Sequence, residues 1–137
     1  MTGKGKIFVF DLDGTLADTA PALLNAGNQV LRIIGRNPIK LNQYKGFIGG
    51  GTKKQVEKLL ISTGGIPECG LDFYFKLFQD RYYADPVKDC FLYEGVLELL
   101  EFLKKKGIKS TICTQKFEGS AKKILLHLNI YQYFDGF

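Results

Sequence analysis

The sequence is poor in the features that tie a chain to a membrane, an oxidising compartment or a nucleic acid. It holds three cysteines, Cys69, Cys90 and Cys113, with neither the close spacing of a metal site nor an even disulfide framework. They read as reduced thiols in a reducing compartment. Cys113 lies in an apolar run and reads as a packing residue. The only early apolar stretch, residues 7–10, is too short for a signal-peptide core or a membrane span. No membrane partner and a cytoplasmic location are therefore expected. No dense Lys/Arg run is interleaved with stacking aromatics, so no nucleic-acid partner is expected either. The net charge of +5 is read as solvated surface with a mild pull on anionic ligands. The one basic triplet, residues 104–106, falls at a predicted helix end, where cations offset the helix dipole. Repeats and low-complexity linkers are absent as well.

What is present is enough for one core. The chain has 137 residues, 45% of them hydrophobic and 24% charged, as in ordinary globular proteins. Residues 7–10 form a continuous apolar run, as expected of a strand covered on both faces. A helix follows, with Asp18 or Thr19 as cap, Pro21 in its first turn and Gly35 at its end. Gly46, Gly49, Gly50 and Gly51 interrupt the pattern. Thr52 and Gln55 have capping-box spacing, which predicts a helix over 53–62. Residues 71–83 read as an aromatic-rich helix with Leu71, Tyr74, Phe75, Phe78 and Tyr82 on a core-facing side. Val96, Leu99, Leu100 and Leu103 then repeat at helical spacing before Gly107. Residues 108–113 fit a strand, 117–128 a helix with Ile124, Leu125 and Leu128 inward, and "YFDGF" the start of one more strand.

The order predicts an α/β fold: a partial Rossmann-like parallel sheet core built by βαβ connections, with an inserted helical cap. The core is assigned to residues 1–16 and 88–137 and the cap to 17–87.

The stretch "FVFDLDGTLADT" carries the chemistry. Asp11 and Asp13 close the first strand, and in open α/β sheets ligands bind beyond the carboxyl ends of strands. Side chains alternate along a strand, so two residues two apart can face one site. Two such anions repel unless a cation or a shared proton relieves them. Hard oxygen donors point to Mg²⁺. Gly14 allows a sharp turn beside a ligand, and Thr15 offers a hydroxyl and an amide. A carboxylate-bearing strand-to-helix turn is the plainer alternative for an isolated Asp-x-Asp.

The full string resembles motif I of the haloacid-dehalogenase-like phosphatases, and within them the phosphoglycolate phosphatases. "KGFIGGG" at 45–51, "YEGVLELLEFLKKKGIK" at 93–109, "ICTQK" at 112–116 and "LNIYQYFDGF" at 128–137 continue the resemblance along nearly the whole chain. It implies a Mg²⁺-dependent phosphomonoester hydrolase acting through an aspartyl phosphate. Asp11 would be the nucleophile and Asp13 the general acid and base. Asp11 and Asp13 would also hold the metal. Gly14, Thr15, Thr114, Gln115 and Lys116 would bind phosphate, Thr114 at a helix N-terminus. Gln115 stands where the family string has Asn. Gly49, Gly50, Gly51 and Thr52 would form the substrate-selecting cap loop. The implied partner is a small phosphorylated metabolite, with 2-phosphoglycolate first.

The family pattern continues past "FDG" with a Lys segment and an acidic segment that completes the metal site, and neither follows here. The resemblance therefore implies a C-terminally truncated form with little or no activity of its own. It also implies an exposed first strand and self-association through that sheet edge. The competing expectation is a catalytically silent fragment that acts as a binding or interaction module.

Overall fold

Strand β1 (Ile7–Phe10) pairs in parallel with strand β4 (Lys109–Ile112), Phe10 opposite Ile112, in a computed structural model that describes residues 5–114 and 116–136. Parallel pairing requires a crossover, and helix α5 (Val96–Lys105) supplies its last leg. The chain divides into an α/β unit, Met1–Thr19 with Asp89–Phe137, and an all-helical unit, Ala20–Lys88. This is the mixed architecture the element order predicts, a small parallel core sheet with an insertion of helices.

In the α/β unit, α5 forms because Val96, Leu100 and Leu103 recur on one side and are buried, while Leu99 turns out to be exposed. Lys104 and Lys105 lie in its last turn, against the negative end of the dipole. Helix α6 (Glu118–His127) buries Ala121, Ile124 and Leu125, and Leu128 just beyond it is half-buried. Asn129 leaves it at φ 60°, the left-handed position that ends many helices. A short antiparallel pair, β2 (Ala17–Asp18) with β3 (Phe91–Leu92), has no counterpart in the sequence pattern. Two-residue strands carry too little periodicity to show.

Three local expectations are corrected here. The side chains of β1 are not covered on both faces: Ile7, Phe8 and Val9 are 61%, 44% and 62% exposed. The described sheet has two strands, and β1 pairs with β4 alone. The "YFDGF" segment does not open a regular strand among the described residues. A 3-10 turn, Tyr131–Tyr133, comes first. The chain then runs along the other edge of β4, where the Asp135 amide donates to the Ser110 carbonyl (2.8 Å) and the Ile112 amide to the Gly136 carbonyl (3.1 Å). Cys113 is exposed rather than packed, because β4 ends one residue before it.

The helical unit holds α1 (Ala20–Ile33), α2 (Leu41–Lys45), α3 (Thr52–Ser62) and α4 (Leu71–Ala84). Helix α1 packs on α4 and α2, and α3 packs on α4. The aromatic stripe is core, as its spacing predicts: Tyr74, Phe78 and Tyr82 are buried, and the Phe78 and Tyr82 rings stack at 6.3 Å. Gly27 of α1 lets Tyr44 and Leu59 close in; a Cβ there would meet them at 3.1 and 3.2 Å. The Tyr44 hydroxyl donates to Gln55 Oε1 at 3.0 Å, and burial pushes its phenol pKa up. That bond explains why the Thr52–Gln55 capping box does not form. Gly51, at φ 94°, is the N-cap, and no side chain caps α3. Its other end is closed by Arg36, whose guanidinium donates to the carbonyls of Leu60 (2.9 Å) and Gly65 (2.6 Å) and to Thr63 Oγ1 (3.0 Å). Helix-end carbonyls with no partner in the helix are satisfied there. No helix among the described residues is long and apolar enough to cross a membrane.

Candidate active site

The carboxyl end of β1 runs into a tight turn organised around one carbonyl. The amides of Thr15, Leu16 and Ala17 all donate to the Leu12 carbonyl, at 3.3, 3.1 and 3.3 Å. Gly14 takes φ 79°, which a side chain would resist, and its amide donates to the Ala17 carbonyl at 2.9 Å. Leu12 is fully buried and anchors the turn. Asp11 and Asp13 flank it in sequence.

The two carboxylates have different surroundings. Asp11 is exposed, and its Oδ1 accepts a hydrogen bond from the Leu12 amide at 2.9 Å. The side chain of Asp13 is 32% exposed, and its Oδ1 lies 3.3 Å from Lys116 Nζ, whose side chain is only 10% exposed. The Thr19 hydroxyl donates to the same Oδ1. Lys116 is held in turn by its amide, which donates to Thr114 Oγ1 at 3.1 Å. The Cys113 amide donates to the Phe10 carbonyl at 2.8 Å, carrying the parallel pairing one residue past β4. Asp11 and Thr114 therefore leave neighbouring parallel strands at the same end of the sheet.

The structure thus links Asp13, Lys116 and Thr114 in one chain of contacts. Thr15 is exposed, and its amide and that of Gly14 are engaged inside the turn. Gln115 lies outside the described residues. Gly49, Gly50, Gly51 and Thr52 belong to the helical unit at the start of α3, the three glycines at φ 126°, 77° and 94°. Thr19 is the residue that sequence reasoning missed. Its place just before α1 suggests a helix cap, and its hydroxyl donates to Asp13 Oδ1. The pairing of β2 with β3, invisible in the sequence, sets that part of the turn.

Asp11, Asp13 and the Asp13 carbonyl are hard oxygen donors. Mg²⁺ takes one or two carboxylates and keeps several waters, so this donor set fits a partial, water-rich shell. Among the described residues, no group of three or more His, Cys, Asp or Glu side chains is assembled to hold a metal.

Comparison with known proteins gives the wider setting. The family model described as haloacid dehalogenase-like hydrolase matches residues 8–136. A phosphoglycolate phosphatase from Rhodobacter capsulatus is 38% identical over 127 residues, which are 92% of this chain and 58% of that protein. One from Aquifex aeolicus is 33% identical over 130 residues, 95% of this chain and 58% of that protein. A solved structure of a predicted phosphoglycolate phosphatase from Haemophilus somnus superposes with a TM-score of 0.84 at 26% identity, covering 99% of this chain and 62% of the other. CbbY from Rhodobacter sphaeroides, solved in complex with phosphate, shares the fold at a TM-score of 0.73 and 20% identity, with 99% and 62% covered. The chain spans little more than half the length of the curated relatives it matches.

Proposed function

The chain belongs to the haloacid dehalogenase-like hydrolases, and from that premise we propose that it carries the nucleophile and the general acid of a Mg²⁺-dependent phosphomonoester hydrolase. The observation that carries this reading is the pair Asp11 and Asp13 at the carboxyl end of a parallel strand, beside Lys116 and Thr114. The leading substrate is 2-phosphoglycolate, supported by 38% identity to a phosphoglycolate phosphatase.

Asp11 attacks phosphorus: a bond forms from its carboxylate oxygen and the bond from phosphorus to the substrate alkoxide oxygen breaks. Asp13 gives that leaving oxygen a proton. The now basic Asp13 takes a proton from water, which attacks the aspartyl phosphate and releases inorganic phosphate, regenerating Asp11. The different surroundings suit the two roles. Asp11, exposed and lightly held, can reach a substrate. Asp13 is braced, as a group that handles a proton at a fixed point must be. Thr114 and the amides near the start of α6 provide donors for phosphoryl oxygens. Mg²⁺, held by Asp11 and the Asp13 carbonyl, would supply charge neutralisation between the nucleophile and the phosphate. Gly49 to Thr52 would select the substrate.

The test is turnover of a panel of phosphorylated metabolites, including 2-phosphoglycolate, with excess Mg²⁺ and Asp11→Asn as the blank. Whatever turnover rises above background should fall by about 10²-fold or more in the variant, the scale of losing a covalent step. Clear turnover that survives undiminished in the variant would remove the hydrolase reading.

A second reading has its own observation, the bare strand β1. An open strand edge accepts a strand from another chain, and we propose self-association there. Sedimentation should show mass rising with concentration, and Val9→Lys should abolish the rise. A silent interaction module would show this behaviour without any turnover above the blank.

A further inference from the structure

We propose that Lys116 and Thr19 are positioning residues that jointly occupy Asp13 Oδ1 and so leave Oδ2 as the oxygen that gives and takes the proton. This deepens the hydrolase reading above and rests on it for the role of Asp13.

Two donors converge on one oxygen. The Thr19 hydroxyl donates to Oδ1, and Lys116 Nζ lies 3.3 Å from the same atom. Each carboxylate oxygen offers about two lone-pair sites. Oδ1 is therefore full, and a proton entering this carboxyl group goes to Oδ2. Both donors are themselves fixed. Lys116 is mostly buried, and its amide is tied to Thr114 Oγ1 at 3.1 Å. Thr19 is 2% exposed and follows β2, which is held by β3. The backbone of Asp13 is held as well, between β1 and the amides gathered on the Leu12 carbonyl.

The consequence is rotational. A carboxylate held by one donor can swing about its Cβ–Cγ bond and exchange its oxygens. Two donors arriving from different elements, the loop after β4 and the residue before α1, suppress that exchange. Proton transfer to a leaving oxygen needs heavy atoms within hydrogen-bond reach, so fixing which oxygen acts is worth rate. Lys116 on this account acts through Asp13, rather than by holding the substrate phosphate.

Two measurements test it. The first is a thermal double-mutant cycle of Asp13→Ala with Lys116→Met, and again with Thr19→Val. The double variants should melt well above the sum of the single losses. Strict additivity in both cycles overturns the proposal, whether or not the chain is an enzyme. The second is dependence on the leaving group. p-Nitrophenolate leaves without a proton, whereas the alkoxide of 2-phosphoglycolate needs one. Lys116→Met should lower kcat on 2-phosphoglycolate by about 10-fold to 100-fold, a share of a general acid's contribution. It should lower kcat on p-nitrophenyl phosphate by less than about 3-fold and leave both KM values unchanged. Lys116→Arg and Thr19→Ser, which keep the donors, should recover most of the loss. A raised KM with unchanged kcat on both substrates would make Lys116 a phosphate ligand and overturn the proposal. If the wild type shows no turnover above Asp11→Asn, the hydrolase reading fails, and the thermal cycles still decide whether Asp13 is held as described.

Discussion

The helical unit buries Tyr44, Leu59 and Phe78 completely, while three of the four residues of β1 in the α/β unit stand open to solvent. Both segments are rich in large apolar side chains, so hydrophobicity does not separate them. The hydrogen bonds do. A helix closes its backbone bonds within itself, and four short helices need only turn their apolar sides together. A strand closes its bonds only with neighbours, and among the described residues β1 has one, β4. The helical unit is thus a finished core. The α/β unit is a chemical edge, with carboxylates at the strand ends and an apolar strand beside them.

The contrast predicts a graded response to substitution. Phe78→Ala should cost the helical unit about 3–5 kcal/mol by chemical denaturation, since a fully buried ring leaves a cavity. Arg36→Met should cost about 1.5–3 kcal/mol, because the carbonyls of Leu60 and Gly65 lose a charged donor. Gly27→Val should cost about 1–3 kcal/mol, since its Cβ alone would sit 3.1 Å from the Tyr44 ring and 3.2 Å from Leu59. Val9→Thr, on the bare strand, should change stability by no more than about 0.5 kcal/mol, the scale of surface substitutions. A Val9→Thr loss rivalling that of Phe78→Ala would show that β1 is covered in solution, and the comparison would collapse. If added salt leaves the Arg36→Met loss unchanged, packing of the Arg36 stem matters there more than its charge.

Much of this was legible in advance, for identifiable reasons. Helix α4 was readable because Tyr74, Phe78 and Tyr82 repeat every four residues, and burial of that side follows from the spacing. The strands β1 and β4 were readable as apolar or β-branched runs bounded by turn residues. The covering of β1 was misjudged, because a run of apolar residues states what a strand could bury and not what is there to bury it. The capping box at Thr52 failed for a related reason. Gln55 has the right spacing from Thr52, yet Tyr44, eleven residues earlier, takes its side chain.

Local order in the chain by itself determined the types of the longer elements and the placing of Asp11 and Asp13 at a strand end. Those depend on periodicity, turn residues and alternation, which act over a few residues. Tertiary structure alone decided that Lys116 would reach Asp13 and that Thr19 would donate to it. Lys116 lies more than a hundred positions from Asp13, and only the parallel pairing of β1 with β4 brings the two loops side by side. A salt bridge a few ångströms long across that separation is a property of register, and register is set by the sheet as a whole.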